Sequence, residues 1–264
     1  MKRLLPSLLI LLLSTGFPAY ADIKGEPVDY SANGVTLKGY LAYDTDITGK
    51  RPGILVVHEG WGHNEYARKR ARMLAELGYI AFAVDMYGDG KNTAHIKEAK
   101  EFMMVVINDM AVAKARFTAA YTLLEEEERV DAAKIAAIGY CFGGGIVLDM
   151  ARAGLDLDGV ASFHGSLATQ TPAQEGVVKT KVLVLHGNDD QFVSPDQVKA
   201  FKQEMENATV DLEFIAYPGA QHSFTNPDAN KVAKQLNLPV GYDKTADEDS
   251  WKTLQDFLKR IFAE

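Results

Sequence analysis

The residue with the clearest chemical potential is Cys141, the one cysteine in the sequence. It lies in the segment Gly139-Tyr-Cys-Phe-Gly143, after an apolar run and before a predicted helix. Glycines on both sides of a nucleophile allow the sharp turn of a Gly-x-Ser-x-Gly elbow, here with cysteine in place of serine. The helix N-terminus carries partial positive charge, which favours a thiolate and an oxyanion. We therefore predict that Cys141 is a nucleophile and that the backbone N–H of Phe142 is an oxyanion donor.

Candidate acids and a candidate base follow Cys141 along the chain. Asp189 and Asp190 come three and four residues after His186, which ends an apolar run, and His222 lies in a loop after the next predicted strand. In an elbow-type active site, a histidine takes the proton of the nucleophile and a carboxylate orients that histidine. The order nucleophile, acid, histidine therefore predicts covalent catalysis.

Short apolar runs alternate along the chain with stretches that have the pattern of helices. Continuous apolarity over five or six residues is what a parallel strand buried on both faces requires. The predicted strands cover Val35–Tyr43 (half-exposed and antiparallel), Gly53–His58, Tyr79–Val84, Lys134–Gly139, Gly159–Phe163, Lys181–His186 and Leu212–Tyr217. The predicted helices cover Glu65–Leu77, Thr93–Glu127 (broken at most once), Gly144–Ala153, Ser194–Asn207 and Asp247–Phe262. This alternation predicts an α/β fold, a mostly parallel doubly wound sheet flanked by helices on both faces, with the reactive crevice at the carboxyl ends of the strands.

Composition and charge limit the classes of protein to which this chain can belong. The 264 residues are 47% hydrophobic and 24% charged, and no Pro/Gly/Ser-rich linker divides them, which fits one globular domain. The 28 Lys and Arg residues against 36 Asp and Glu give a net charge of −8, which argues against nucleic acid and anionic membranes as partners. Neither a His-x-x-x-His motif nor paired cysteines predict a metal site. We expect a small-molecule partner, no metal or other cofactor, and a monomer or small homo-oligomer.

Residues 1–21 have the layout of a secretory signal peptide. Two basic residues precede an apolar run from Leu4 to Leu13, and Ala19-Tyr-Ala21 provides the small residues that a signal peptidase requires. The alternative, a membrane anchor, needs about 20 apolar residues, more than this run contains. We predict cleavage after Ala21, a mature domain over residues 22–264, export to the periplasm or beyond, and no membrane attachment after cleavage.

Five segments together resemble the dienelactone hydrolase family, and the resemblance extends from about Val35 to the C-terminal helix. These segments are His58-Glu-Gly-Trp-Gly62, Asp85-Met-Tyr87, Gly139-Tyr-Cys-Phe-Gly-Gly144, Asp189-Asp-Gln-Phe-Val193 and His222-Ser-Phe224. The resemblance implies an α/β-hydrolase fold and a carboxymethylenebutenolidase-like enzyme that cleaves an ester or lactone without a cofactor. It also implies that Cys141 is the nucleophile, His222 the base and Asp190 the acid, with Asp189 as the alternative to Asp190.

The resemblance implies two further roles for the segment that follows His58. Glu59 matches a family glutamate that contacts the thiol and helps it to ionise when substrate arrives. A carboxylate beside a thiol favours the protonated thiol, so activation must move that carboxylate or pass a proton to it. The alternative is a Glu59 that only bonds backbone groups of its own loop. Gly60, the next residue, is the expected second oxyanion donor.

Two positions depart from the family pattern. Members that cleave dienelactone hold the substrate carboxylate with two arginines, and this chain has Asp89 and Asn226 at those positions. An arginine pair binds a carboxylate through charge-assisted hydrogen bonds, whereas an aspartate repels it. The expected substrate is therefore an ester or lactone other than dienelactone.

The substrate pocket is predicted from residues in the loops around the thiol. Trp61, Tyr87, Tyr140 and Phe142 are candidates for a hydrophobic pocket, or alternatively for packing beneath the loops. His164 ends a strand run and is a candidate substrate contact, with a histidine satisfied by backbone partners as the alternative. The rival functions are a non-catalytic small-molecule-binding protein on the same fold and a redox-sensing thiol.

Overall fold

A computed structural model of the protein describes residues 22–263. Within that range, eight strands form one sheet: β1 (Ile23–Ala32), β2 (Val35–Asp44), β3 (Arg51–Val57), β4 (Ile80–Val84), β5 (Val130–Tyr140), β6 (Gly159–Phe163), β7 (Lys181–Gly187) and β8 (Leu212–Tyr217). The same residues contain seven helices: α1 (Glu65–Glu76), α2 (Ile96–Ile107), α3 (Met110–Glu125), α4 (Phe142–Arg152), α5 (Pro195–Asn207), α6 (Ala229–Leu236) and α7 (Lys244–Ala263). The predicted alternation of strands and helices is confirmed.

The sheet has the strand order β1-β2-β4-β3-β5-β6-β7-β8. All pairs from β4 to β8 are parallel, whereas β2 pairs antiparallel with both β1 and β4. Every residue of β4 and of β6 is buried, because helices cover both faces of the sheet. The carboxyl ends of the parallel strands meet at one edge, so His58 after β3, Cys141 after β5 and His164 after β6 are brought together there.

Helices cover both faces of the sheet and bury two groups of apolar side chains. On one face, α3, α4 and α5 contribute Phe117, Val147 and Phe201. On the other face, α1 and α7 contribute Leu74 and Phe257. Each fully buried side chain of this size stabilises the fold by about 1.5–3 kcal/mol relative to an exposed one. The packed layers therefore fix the strand ends from which the candidate site is built.

Helix starts follow from local side-chain chemistry. The Ser194 side chain accepts a hydrogen bond from the backbone N–H of Gln197, whose side chain bonds back to the Ser194 backbone, and this capping box begins α5. The helix predicted over Thr93–Glu127 is broken once, because α2 ends before Asn108 and the Asp109 side chain caps the first turn of α3.

Two elements were not predicted. Strand β1 pairs with β2 along its whole length, but Gly25 and Pro27 weaken its strand pattern. The short helix α6 lies in a segment that contained no predicted element, and α7 starts at Lys244, ahead of the predicted Asp247.

The predicted signal peptide, residues 1–21, lies outside the described residues. Among residues 22–263, no helix has both the length and the apolar character that crossing a membrane would require.

Candidate active site

The turn between β5 and α4 is sharp and conformationally strained. Cys141 has φ 54° and ψ −113°, a backbone conformation that is costly for a residue with a Cβ atom. A Cβ on Gly139 would lie 2.0 Å from the carbonyl oxygen of Gly143, and a Cβ on Gly143 would lie 2.3 Å from that of Val57. Because only glycine fits at both positions, the chain can turn here and present the Cys141 side chain at the tip.

His222 and Asp190 form a hydrogen-bonded pair beside this thiol. His222 Nδ1 lies 2.8 Å from Asp190 Oδ2. Burial disfavours a charged imidazolium, but the negative charge of an ionised Cys141 and hydrogen bonds to Asp190 and Cys141 outweigh burial and raise the pKa of His222 to about 10. The arrangement can therefore hold a proton on His222 next to a thiolate.

Asp190, rather than Asp189, faces the histidine. Asp190 is 5% exposed, and its second carboxylate oxygen accepts the backbone N–H of Phe192 over 2.8 Å. Asp189 is exposed on the surface. The Asp190 carboxylate is thus held by one backbone donor and directed at His222, which fixes which His222 nitrogen carries the shared proton.

Two backbone N–H groups near the thiol are the predicted oxyanion donors. Gly60 and Phe142 both line the cavity that contains Cys141. Within residues 22–263, neither backbone N–H donates a hydrogen bond to the protein. Free N–H groups at the start of a helix and in an adjoining loop are suited to bind a negatively charged oxygen.

Glu59 is buried and bonded to two side chains of the loop that follows His222. Its carboxylate accepts the Ser223 hydroxyl over 3.1 Å and the Asn226 amide over 2.6 Å. Burial raises the pKa of Glu59, although the Asn226 hydrogen bond and the charge of His222 act in the opposite direction. These hydrogen bonds differ from both predictions for Glu59, which were a contact with the Cys141 thiol and, as the alternative, bonds to backbone groups of the loop that contains Glu59.

His164 lies beneath the thiol instead of facing substrate. It is fully buried, its Nδ1 accepts the backbone N–H of Cys141 over 3.1 Å, and its Nε2 lies 2.7 Å from the Thr225 hydroxyl. Burial holds the pKa of His164 well below its usual value. The neutral ring therefore accepts at Nδ1 and donates at Nε2. The expected substrate contact by His164 is wrong, and the ring links the elbow to the loop that follows His222.

A cavity of about 450 Å³ opens beside Cys141. Its walls are mostly apolar and come from α2, α4, α6 and the loops after β3, β7 and β8. The residues that define its character are Trp61, Met103, Ile107, Phe142, Ile146, Phe192, Val193, Val232, Leu238 and Val240. Apart from His222, the charged or ionisable side chains among the described lining residues are Cys141, Lys100 and Asp149. Of the predicted pocket residues, Trp61 and Phe142 are part of this wall.

Tyr87 and Tyr140 do not line the cavity, so the alternative of packing beneath the loops holds for both. Tyr87 is 4% exposed, and its hydroxyl donates to the Gly60 carbonyl over 3.1 Å. Tyr140 is fully buried and stacks on Phe163 with ring centroids 4.6 Å apart. Both rings support the loops that carry the candidate catalytic groups.

Several site residues were not identified from the sequence. Met103, Ile107 and Val232 line the cavity, but apolar residues on helices have the same spacing as ordinary core residues. Ser223 has φ 60° and bonds Glu59, and its position directly after His222 was the available signal. In the part of the chain that the structure describes, no three His, Cys, Asp or Glu side chains are grouped as metal ligands.

Comparisons with known proteins agree on one family and one fold. Residues 37–262 match the sequence profile described as the dienelactone hydrolase family. One similar protein is a dienelactone hydrolase-like promiscuous phosphotriesterase from metagenomic libraries. Its crystal structure superposes on this chain with a TM-score of 0.86 and 34% sequence identity, and the match covers 90% of this chain and 98% of that one. The protein usf of Aquifex pyrophilus is 28% identical over 240 residues, which cover 89% of this chain and 98% of that protein. A dienelactone hydrolase from Anabaena variabilis, 21% identical, shares the fold with a TM-score of 0.59 over 81% of this chain and 95% of its own.

Proposed function

This chain belongs to the dienelactone hydrolase family, and we propose that it hydrolyses an uncharged carboxylic ester or lactone through a thioester on Cys141. The observation that carries the proposal is the 2.8 Å hydrogen bond between His222 and Asp190, next to a thiol at the tip of a strained turn. A nucleophile, a base and an acid that orients the base are the components of covalent acyl transfer.

The first half of the reaction is acylation of the thiol. The Cys141 proton moves to His222, and the thiolate sulfur bonds to the carbonyl carbon while the carbonyl oxygen becomes an oxyanion. The N–H groups of Phe142 and Gly60 stabilise that oxyanion. The intermediate then breaks its bond to the alkoxy oxygen, which leaves with the proton from His222, and Asp190 stabilises the imidazolium between these two proton transfers.

The second half of the reaction is hydrolysis of the thioester. Neutral His222 takes a proton from water, whose oxygen attacks the same carbonyl carbon. The C–S bond breaks, the acid departs and the thiolate is regenerated beside the imidazolium. When the substrate is a lactone, the alcohol remains attached to the acid, so one hydroxy acid is the product.

Glu59 modulates the thiol through its charge. Its pKa is raised by burial, so it keeps a proton over a wider pH range than an exposed glutamate. A protonated Glu59 opposes the Cys141 thiolate less than an ionised carboxylate would. The hydrogen bonds from Ser223 and Asn226 hold this side chain in place.

The cavity favours a substrate without a net charge. Its wall is mostly apolar, and none of its described lining residues is an arginine that could bind a substrate carboxylate through two hydrogen bonds. Asp89 is exposed and does not line the cavity, and Asn226 replaces the second arginine that the family uses. An apolar acyl or alkoxy group fits this wall.

The decisive experiment compares the protein with Cys141→Ala on short p-nitrophenyl esters and simple lactones. We expect hydrolysis to be lost in the variant, and intact-mass analysis of acid-quenched wild-type protein to find one acyl group, located on Cys141. The matched control is Asp189→Asn, which removes the neighbouring exposed carboxylate and should retain turnover. Equal rates in the wild type and Cys141→Ala would contradict the proposal. If both rates equal the uncatalysed background, the result would favour the non-catalytic binding protein, which thermal stabilisation by unreacted lactones would then test.

A second candidate activity is hydrolysis of phosphotriesters. The observation that favours it is the 34% identity to the dienelactone hydrolase-like promiscuous phosphotriesterase. In this reaction the Cys141 sulfur would bond to phosphorus, an aryloxide would leave with a proton from His222, and water would then release the phosphodiester. Paraoxon tests it directly, because it releases the same p-nitrophenol. Release of one equivalent of p-nitrophenol without further turnover would mean that water does not hydrolyse the phosphorylated thiol.

Export is a separate part of the proposal. Residues 1–21 supply the signal peptide, and the folded domain functions in the periplasm or outside the cell. Expression of the full chain in a bacterium, followed by fractionation and N-terminal sequencing, tests this. A mature protein that begins at Asp22 in the periplasm supports export, and an uncleaved cytoplasmic protein contradicts it.

A further inference from the structure

His58 is a buried histidine that the reaction described above does not use. It follows β3 directly, it is fully buried, and it does not line the cavity. Its ring stacks on Phe142 with centroids 5.7 Å apart and meets Tyr87 edge-on at 4.6 Å. The ring therefore packs on Phe142, one of the two residues proposed to supply oxyanion donors, and His58 precedes the other, Gly60, by two residues.

The hydrogen bonds of the ring define its tautomer. The backbone N–H of Met86 donates to His58 Nε2 over 3.3 Å, so Nε2 carries no proton. His58 Nδ1 lies 2.6 Å from the carbonyl oxygen of Glu59, which can only accept, so Nδ1 carries the proton. Burial lowers the pKa of His58, in agreement with a neutral ring.

The carbonyl that His58 holds belongs to the same peptide unit as the Gly60 N–H. In a trans peptide, the C=O of Glu59 and the N–H of Gly60 lie in one plane and point in opposite directions. The carbonyl oxygen accepts both the His58 ring N–H and the backbone N–H of Gly62, the latter over 3.1 Å. Two donors on the oxygen fix the plane, and thereby the direction in which the Gly60 N–H points.

The backbone of His58 also contacts the elbow. The carbonyl oxygen of His58 accepts the backbone N–H of Gly143, two residues after Cys141 in the first turn of α4, over 3.1 Å. The side chain and the main chain of one residue therefore tie the Gly60 peptide to the start of α4, where the Phe142 N–H lies.

We infer that His58 is a positioning residue that sets the direction of the Gly60 N–H and so aligns the oxyanion hole. The inference rests on the proposed function, because it assigns a second residue to the same oxyanion site. A hydrogen bond to the Glu59 oxygen also polarises the peptide and makes the Gly60 N–H a stronger donor.

The test uses two substitutions, each of which keeps one of the two hydrogen bonds of the His58 ring. In His58→Asn, the amide nitrogen occupies the place of Nδ1 and still donates to Glu59. In His58→Gln, the amide reaches the place of Nε2, so the bond with Met86 is kept and the donor to Glu59 is lost. We expect His58→Gln to lower kcat by about tenfold to a hundredfold with KM changed less than twofold, because the lost alignment matters only when the oxyanion forms. We expect the fall in kcat to be several-fold smaller in His58→Asn than in His58→Gln.

A short alkyl trifluoromethyl ketone provides a readout that general loosening of the fold would not give. Cys141 adds to its carbonyl and forms a hemithioketal whose oxyanion occupies the site between Gly60 and Phe142. The inhibition constant should rise in His58→Gln by about the same factor as kcat falls, while a non-reactive ketone of the same size binds equally well to both proteins. A fall in kcat without weaker binding of the trifluoromethyl ketone would overturn the inference.

The outcomes separate this inference from the proposed function. If Cys141→Ala is inactive but His58→Gln keeps wild-type kcat, the role of His58 is wrong and the esterase mechanism stands. If Cys141→Ala keeps wild-type activity, the mechanism itself is wrong. If His58→Gln does not fold, 15N NMR of histidine-labelled wild-type protein decides. A neutral ring protonated at Nδ1 supports the inference, and a ring protonated at Nε2, or at both nitrogens, at the pH of maximal activity contradicts it.

Discussion

The side-chain amide of Asn226 donates a 2.6 Å hydrogen bond to the buried carboxylate of Glu59. The resemblance to dienelactone-cleaving relatives places a substrate-binding arginine at this position. Here the neutral amide satisfies Glu59 and adds no positive charge to the cavity wall. The same side chain therefore lowers the pKa of Glu59 through its hydrogen bond and lines the cavity beside Cys141.

Asn226→Arg should shift the preference of the protein towards anionic esters. The new guanidinium would extend into the cavity of about 450 Å³ and offer a charge-assisted bond to a substrate carboxylate. We expect kcat/KM for a carboxylate-bearing ester to rise about tenfold relative to its neutral methyl ester, which corresponds to about 1.4 kcal/mol. The measurement is a competition assay with both esters. Asn226→Gln, which lengthens the side chain without charge, is the control, and an equal shift in both variants would show that size alone is responsible.

Asp190→Asn should lower kcat and move the alkaline limb of the pH–rate profile to lower pH. The pKa of His222 is raised to about 10, so its imidazolium persists until the pH rises through that value. Loss of the Asp190 charge lowers this pKa, because an opposite charge at hydrogen-bonding distance stabilises the protonated form by about one to three pKa units. We expect kcat to fall by at least about a hundredfold as well, because an amide does not hold the histidine in the required tautomer.

The matched control for that profile is Asp189→Asn. Asp189 is exposed and adjacent in sequence, so its removal changes the net charge equally without touching His222. Its alkaline limb should coincide with that of the wild type. If the two variants have the same profile, the acid assigned to His222 is wrong.

Gly143→Ala should prevent the elbow from forming, whereas Gly145→Ala should be tolerated. A Cβ on Gly143 would lie 2.3 Å from the Val57 carbonyl oxygen and 2.7 Å from that of His58, both in backbone that cannot yield. We expect a loss of about 3 kcal/mol or more in the free energy of unfolding. A Cβ on Gly145 meets Ser166 at 3.4 Å, and alanine favours the helix by up to about 1 kcal/mol. Urea unfolding of both variants checks this, and equal stability would contradict the packing argument.

The elements could be predicted from the sequence where a single pattern dominates. Continuous apolar runs defined the central strands, and the order Cys141, Asp190, His222 defined the candidate reactive groups. Strand β1 was missed because its stability comes from pairing with β2 instead of from its own residues. The hydrogen-bond partners of His164 and Tyr87 could not be predicted for a related reason. Which atom a buried polar side chain bonds depends on the three-dimensional packing of loops, and nothing in the local sequence encodes it.

Arg70 of α1 bonds both the loop that follows His222 and helix α7, and its loss should affect both stability and activity. Its guanidinium donates to the Thr225 carbonyl over 2.7 Å and to the Asp247 carboxylate over 2.6 Å, and it lies 5.3 Å from the ring centre of Tyr140. The side chain is 4% exposed. Removal of one partner from a buried ion pair leaves the other charge uncompensated, which costs about 3–5 kcal/mol.

We expect Arg70→Met to lower the free energy of unfolding by about 3 kcal/mol, measured by urea denaturation, because Asp247 keeps some contact with water. The Thr225 carbonyl would also lose its donor, and Thr225 bonds His164, which in turn accepts the N–H of Cys141. A folded Arg70→Met should therefore lose several-fold in kcat as well. The double variant Arg70→Met with Asp247→Asn should recover part of the stability, because the unpaired charge is gone, but not the kcat. Recovery of both together would mean that the charge on Asp247, rather than support of the loop, is what couples Arg70 to the active site.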